Sequence, residues 1–176
     1  MPYDWATFLH DRVDRINPRA DMDGIERGGY KLVYQEKPSA SEKSFAEVFV
    51  KWLGGVDAWY SIGMQVNSDG SILDVRYKGP AEKARITPGS KIIGVNGQVY
   101  SNDLLQAAIR NAKGKTDPIH LIVQTDTFLN TADIDYHDGE RYPVLERVEG
   151  TPALLDDITK SLASSPPIPA DTGSKK

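Results

Sequence analysis

The sequence predicts an α+β fold that is mainly β, and three observations support this class. Short runs rich in β-branched and aromatic residues alternate with turns that contain Gly, Asn or Asp. Two short helix patterns interrupt these runs in the central part of the chain. No segment repeats at an interval of about 20 to 50 residues, which argues against a solenoid.

Composition bounds the classes of function. The chain has 176 residues, is 39% hydrophobic, and carries 21 Lys and Arg against 25 Asp and Glu. This length predicts one elaborated domain or two small ones, with enough apolar residues for a core. Because both signs of charge are interspersed, nucleic acid is not an expected partner. The absence of cysteine excludes disulfides, thiolate metal sites and a thiol nucleophile.

The chain shows no targeting or membrane segment in its sequence. Its start lacks a basic stretch followed by an apolar run, and no run of about 18 apolar residues occurs, so we expect neither a signal peptide nor a membrane span. Localisation remains unknown, since a periplasmic and a cytoplasmic origin both fit. The sequence also leaves open whether this chain is a piece of a longer protein.

The N-terminal part predicts a helix and a strand. Asp4 can cap a helix over residues 5–16, which carries an apolar stripe and stops before Pro18. Residues 30–35 predict a strand, and residues 37–44 a polar loop. Residues 45–55 suit either a short helix or a buried strand, because periodicity does not decide between them. The stripe consists of Trp5, Phe8, Leu9, Val13 and Ile16.

The centre of the chain predicts strands and a short helix. Residues 59–66 and 71–75 read as two strands joined by a turn that ends in Asp69-Gly70. Pro80 occupies the first position of a one-turn helix over residues 80–84. A Pro-Gly turn then leads into a strand over residues 91–95.

The second half of the chain continues this alternation. Ser101 caps a helix that ends at Gly114, and residues 119–124 form an apolar strand, followed by a candidate strand at residues 132–136. A last helix is predicted to begin with Thr151 as its cap and Pro152 at its first position.

Residues 56–125 resemble a PDZ domain. The residues that carry the resemblance are Ser61-Ile62-Gly63-Met64, which match the family's carboxylate-binding loop, and the run GPAEKARITPGSKIIGVNGQ. The resemblance implies a PDZ-like, partly open antiparallel β-barrel with two helices. It also implies that the module binds an extended peptide or a protein C-terminus.

The physical reason for such a site lies in the backbone. A glycine at position 63 lets successive N–H groups, those of Ile62, Gly63 and Met64, point at one carboxylate. The strand that follows would leave one edge open, so a peptide could add to it. The alternative is that the apolar members are packing residues and that Gly63 marks a β-bulge. The predicted peptide-binding residues are Ser61, Ile62, Gly63, Met64, Gln65, Val66, Asn102, Gln106 and Ile109.

The flanks resemble a more specific family. The segments YDWATFLHDRV, DGIERGGYKLVY and DYHDGERYPVLER look like the C-terminal part of glycyl-aminopeptidase-type zinc metallopeptidases, which are thermolysin-like enzymes with a PDZ domain. The resemblance covers roughly residues 3–162. It implies that the chain is a non-catalytic part of such a protein, that zinc belongs to a catalytic region outside this chain, and that this region is a partner.

Catalytic motifs are not found in the sequence. The three histidines, His10, His120 and His137, do not form the H-E-x-x-H pattern of zinc peptidases. No G-x-S-x-G elbow and no phosphate-binding loop occur either. We therefore expect no catalytic residue, no metal ligand and no cofactor in this chain.

The predicted organisation has four parts. Residues 1–55 are an N-terminal helix and strand extension, 56–126 the PDZ-like domain, 127–162 a C-terminal strand and helix extension, and 163–176 a disordered tail. The predicted function is peptide binding by strand addition. One alternative is a structural or regulatory domain that packs on the peptidase region with a closed groove. Another is a stand-alone adaptor or a PDZ fragment of another protease, against which the flanking motifs argue.

Overall fold

A computed structural model describes residues 4–16 and 22–161, apart from the side chains of residues 45, 46 and 49–53. The chain divides into two compact units. One unit contains the residues up to Leu32 and those from Leu145 onward, and the other contains Val33–Val144. The predicted tail lies outside the described residues.

The first unit contains short helices. Helix α1 spans Trp5–Leu9 and continues as a π-helical turn over His10–Asp14, and α2 spans Asp23–Arg27. The predicted cap is confirmed, because the Asp4 carboxylate accepts a 3.0 Å hydrogen bond from the Thr7 N–H. The helical turns end at Asp14 rather than at residue 16, since Arg15 is already extended.

The last helix begins later than the sequence predicts. Helix α6 spans Leu154–Thr159 with Ala153 at its N-cap, so the prediction of Thr151 as the cap is wrong. The hydroxyl of Thr151 instead donates to the Val148 carbonyl at 2.7 Å and accepts a hydrogen bond from Arg147 at 2.7 Å. The Thr151 hydroxyl is therefore bonded within the turn before α6 and does not cap the helix.

In the described residues, nine strands form three sheets. Strands β1 and β9 form a two-stranded sheet, β2, β3 and β4 a three-stranded sheet in that order, and the third sheet has the order β6-β5-β7-β8. Every pairing within the second and third sheets is antiparallel. The strands are Tyr30–Gln35, Val56–Ala58, Met64–Val66, Ile72–Val75, Lys91–Val95, Gln98–Val99, Ile119–Thr125, Phe128–Ile134 and Tyr142–Arg147 for β1 to β9.

Three helices accompany these strands in the second unit. They are α3 over Ala40–Leu53, α4 over Pro80–Lys83 and α5 over Asn102–Asn111. Ser101 caps α5 as predicted, since its hydroxyl accepts a hydrogen bond from the Leu104 N–H at 3.2 Å. The prediction of a mixed fold built on antiparallel strands is confirmed. An isolated antiparallel bridge between Ser71 and Lys91 links the second sheet to the third, and none of the described sheets closes into a barrel.

Two predicted elements differ from the structure. Residues 40–44 belong to α3 rather than to a polar loop, so the ambiguous segment that follows is helical. Residues 59–62 are a turn rather than the start of a strand, and a separate strand, β2, precedes them. The aromatic pair Trp59-Tyr60 suggested a strand, but here the chain reverses direction, because Ala58 pairs with Met64 across it.

The core lies entirely within the second unit. It joins the inner faces of the second and third sheets to one face of α5 and to Ala81 of α4. The side chains of Ile62, Met64, Leu105 and Ile134 are completely buried. Other fully buried members include Val66, Ile92, Val95, Ile109, Ile119 and Leu121.

Candidate binding site

The loop between β2 and β3 is a tight turn that backbone hydrogen bonds hold in place. Gly63 has a φ of +79°, a conformation that side chains with a Cβ rarely adopt. The N–H groups of Ser61 and Gly63 both donate to the Ala58 carbonyl oxygen, at 3.1 and 2.9 Å. The Gly63 carbonyl accepts from the Arg76 N–H at 2.8 Å, which fixes the loop from its other side.

Both edges of β3 are occupied. β2 pairs with it on one side, with Ala58 opposite Met64 and Val56 opposite Val66, and β4 pairs on the other. The expectation that the strand after the loop leaves an edge open is therefore wrong. The physical reason is that the chain just before the loop folds back antiparallel onto β3, where the backbone groups would otherwise lack partners.

The predicted apolar site residues lie in the core. Ile62 and Met64 are completely buried, and Ile109 of α5 is 2% exposed. This burial fits the packing alternative, in which these side chains stabilise the fold. Their part in binding a ligand stays a prediction. Val66 and Ser61 are also buried, and Gln65 is half-buried.

Asn102, the first residue of α5, joins this helix to the chain that enters β2. Its side-chain amide donates to the Gly54 carbonyl at 2.7 Å, and its Oδ1 accepts from the Tyr100 hydroxyl at 2.8 Å. Because both bonds are partly buried, the side chain has a structural role where the sequence predicted a groove position.

The Asn102→Ala variant is expected to lose about 1 to 2 kcal/mol of unfolding free energy, because two partly buried groups lose their hydrogen-bond partner. Urea denaturation followed by circular dichroism measures this loss. Asn111→Ala, at the exposed C-terminal end of the same helix, is the matched control and should leave stability within about 0.5 kcal/mol of the wild type. Equal stabilities for the two variants would contradict the structural role of Asn102.

Four predicted site residues line one cavity. Ser61, Gln65, Gln106 and Ile109 surround a space of about 450 Å³. The rest of the lining is not among the predicted site residues, and Glu140, Arg141 and Tyr142 belong to the segment DYHDGERYPVLER, which carries the resemblance of the flanks. The further lining residues are Glu42, Val56, Asp57, Ala58, Trp59, Tyr60, Asp74, Glu140, Arg141 and Tyr142.

Hydrogen bonds and ring contacts hold the segment around Arg141 in place. The Arg141 N–H donates to the Ser61 hydroxyl at 3.2 Å. Its guanidinium lies 4.3 Å from the centre of the Tyr34 ring and contacts the Asp138 carboxylate at 3.3 Å. Tyr34 in turn contacts the Tyr60 ring, with centroids 6.1 Å apart. The guanidinium of Arg141, which lines the cavity, thus already contacts the Tyr34 ring and the Asp138 carboxylate.

The cavity has an acidic lining. Of its four carboxylates, Glu140 pairs with Arg110 at 3.1 Å. Within the part of the chain that the structure describes, no ion pair involves Glu42, Asp57 or Asp74. The pKa of the Tyr142 hydroxyl is raised, first by burial and then by the nearby negative charge of Glu140, with Glu42 and Asp57 acting in the same direction.

Tyr136 is a buried phenol near this loop. Its hydroxyl donates to the Gly139 carbonyl at 2.6 Å, and burial raises the pKa of Tyr136 to about 12. Because the folded state holds this proton more tightly than the unfolded state does, the stabilisation is complete below pH about 10 and is lost as the pH rises to about 12.

We expect the free energy of unfolding to fall between pH 10 and 12, and to fall less steeply in Tyr136→Phe, which has no proton to lose at this position. Urea titrations at several alkaline pH values measure the slope. Tyr77→Phe, at an exposed tyrosine, should keep the wild-type slope. A Tyr136→Phe slope equal to that of the wild type would show that this phenol does not contribute.

Each of the three histidines lies beside an aspartate. His10 contacts Asp14 at 2.9 Å, His120 contacts Asp133 at 2.7 Å, and His137 contacts Asp135 at 2.7 Å. In residues 4–16 and 22–161, no three His, Asp or Glu side chains converge in the way that a metal ion requires.

No described helix has the length and apolar character needed to cross a membrane.

The chain is similar to solved structures of known proteins. No protein-family model matches the chain, and no curated protein matches it. Among solved structures, the crystal structure of the HtrA3 PDZ domain bound to a phage-derived ligand (FGRWV) is similar, with 15% identity and a TM-score of 0.32. The match covers 66% of this chain and 92% of that chain. At this TM-score the similarity carries no argument about function.

Proposed function

We propose that this chain is a non-catalytic, PDZ-like interaction module whose carboxylate-type loop is closed by its own strand β2. The sequence resemblance supplies the family. The closed state is supported by two hydrogen bonds, which the Ala58 carbonyl oxygen accepts from the N–H groups of Ser61 and Gly63. A ligand carboxylate would need donors from this same loop.

Opening the loop would be unfavourable. β2 lies antiparallel to β3, as an added peptide strand would, and its Val56 and Ala58 side chains are buried in the core. Exposing Val56 alone would cost about 1.5 to 3 kcal/mol. A peptide that had to displace β2 would therefore bind roughly ten- to a hundredfold more weakly than one that met an open edge.

The experiment is a ¹⁵N chemical-shift titration of the full chain with peptides that have a free C-terminal carboxylate, alongside the same peptides with an amidated C-terminus. We expect no shift at Ile62, Gly63 or Met64 that depends on the carboxylate. Shifts at these residues that vanish on amidation would contradict the closed loop and favour peptide binding by strand addition.

Strand addition by displacement of β2 is the second candidate. It is favoured by the short length of β2, three residues, and by the Gly54-Gly55 pair that precedes it. Such a strand has few pairing interactions to lose, and Gly54 has a φ of +65°, which suits a hinge. Rapid amide exchange at Ser61 and Gly63, despite their hydrogen bonds, would support this candidate.

We also propose, from the sequence resemblance of the flanks alone, that the module belongs to a zinc-aminopeptidase-like protein and packs on its catalytic region. By itself the chain should then hydrolyse nothing. Incubation with zinc and unblocked glycyl peptides tests this, and hydrolysis that a chelator abolishes would refute it. Limited proteolysis adds a second test, because α1 should be cleaved early if its partner surface is missing.

A further inference from the structure

The cavity beside β2 is lined by acidic and aromatic side chains, whereas the carboxylate-type loop is closed by backbone hydrogen bonds. It has a volume of about 450 Å³, which is within the usual range for ligand pockets. All three residues of β2 line it, together with Gln106 and Ile109 of α5. The closed loop does not account for an acidic, aromatic cavity at this position.

We propose that this cavity binds a basic side chain, lysine or arginine, of a peptide that lies along the free edge of β2. The occupant is thus an extended segment of a protein partner that carries a positive charge. The inference goes beyond the proposed closed module and rests on it in one respect, because β2 must stay paired with β3 for its outer edge to border the cavity.

The strand edge provides the first argument. β2 is the outermost strand of its sheet, with β3 on one side, and no described strand pairs with its other edge. An unpaired edge presents N–H and C=O groups that an extended peptide can use. Because Val56, Asp57 and Ala58 all border the cavity, a side chain from such a peptide has a short path into it.

Charge selects the side chain. Glu42, Asp57 and Asp74 come from three different elements, α3, β2 and β4, and none of them pairs with a cation of the described chain. The single cation of the lining, Arg141, is bound to Tyr34 and Asp138. Asp57 and Asp74 are exposed and Glu42 is half-buried, so water screens their charges, and an ammonium or guanidinium group at the cavity would gain a modest attraction that a neutral or acidic side chain would not.

Aromatic rings complete the match. Trp59, Tyr60 and Tyr142 border the same space, and the face of an aromatic ring attracts a cation. The methylene groups that precede the charge of a lysine or arginine can contact the apolar atoms of the Trp59 and Tyr60 rings, which are half-buried and exposed. The lining thus suits both the stem and the charged end of a basic side chain.

The test uses short peptides with both ends blocked, so that neither terminus contributes a charge. An acetylated and amidated five-residue peptide with a central lysine is compared with its glutamine and glutamate analogues. We expect the lysine peptide to shift the amide signals of Trp59 and Gln106 and to bind about tenfold more tightly than the glutamine peptide at low salt. This preference should shrink at high salt, because exposed charges are screened.

Two isosteric variants locate the effect. Glu42→Gln and Asp74→Asn each remove one charge from the cavity and should each reduce the preference for lysine over glutamine about threefold. Asp126→Asn is the control, because it removes one negative charge at a position outside the cavity. It lies in the exposed turn between β7 and β8, where a φ of +53° also suits asparagine.

Each other outcome overturns the inference. Equal affinity for the three peptides, or no binding at millimolar concentration, would show that the cavity does not select a cation. An equal loss in Asp126→Asn would assign the preference to net charge. A glutamine peptide with a free N-terminus that binds as tightly as the blocked lysine peptide would assign the cavity to a chain terminus instead of a side chain.

Discussion

Replacing Gly55 with alanine is expected to lower the free energy of unfolding by about 3 kcal/mol or more, one of the largest effects of any single change in this chain. A Cβ atom at this position would lie 1.8 Å from the Val66 carbonyl oxygen and 2.8 Å from the Asn67 Cα. Both atoms belong to the backbone, so no side chain can move aside. The chain at the start of β2 would have to separate from β3.

Gly24→Ala is the matched control. Outside its chain neighbours and the backbone of its own helix, no atom of the described chain lies within 4 Å of the place that a Cβ would take at Gly24, and the position inside α2 favours alanine. Urea denaturation of both variants measures the difference. Amide exchange at Ser61 and Gly63 adds a local readout, because these N–H groups lose the Ala58 carbonyl when β2 moves. A Gly55→Ala protein as stable as the wild type would refute the close approach of β2 to β3.

Ile62→Ala is expected to lower the free energy of unfolding by about 2 to 5 kcal/mol, because the truncation leaves a cavity in the core. Ile62 is completely buried, and its carbonyl accepts a hydrogen bond from the Ala81 N–H at 2.9 Å. If Ile62 lined an open ligand pocket, as the sequence predicted, its truncation would weaken ligand binding and leave the fold largely intact.

The control for this change is Ile158→Ala, which removes the same atoms from a side chain that is 79% exposed. We expect this variant to stay within about 0.5 kcal/mol of the wild type. Chemical denaturation of the two variants under the same conditions separates the alternatives. Similar small losses in both would restore the ligand-pocket interpretation of Ile62.

Local sequence signals predicted many of the elements because their physical causes are local. Asp4 and Ser101 cap helices since a short polar side chain can reach an N–H three residues ahead. The run IHLIVQ forms the inner strand β7, in which Ile119, Leu121 and Val123 are buried on one face while the alternate residues are exposed or half-buried. Gly63 adopts the left-handed conformation that the loop pattern indicated.

Where the sequence misled, the deciding contacts were ones that no residue pattern specified, whether near in the chain or far from it. Thr151 has the residue type of a helix cap, but Arg147 and Val148 bind its hydroxyl. Asn102 occupies a position that the groove pattern assigned to ligand contact, but it binds Gly54, 48 residues earlier in the chain. The acidic cavity draws its carboxylates from α3, β2, β4 and the segment before β9, which no local pattern connects.

The sequence by itself determined the antiparallel mixed fold, the left-handed glycine of the loop and the caps of α1 and α5, since each follows from interactions within a few residues. Only the tertiary structure decided whether the edge of β3 is open. The backbone groups along that edge pair with β2, a strand of three residues. This pairing depends on the close approach of Gly55 to Val66. A strand of three residues is too short to show a clear alternation of apolar and polar side chains. Its position therefore depends on the backbone groups with which it pairs in the folded protein.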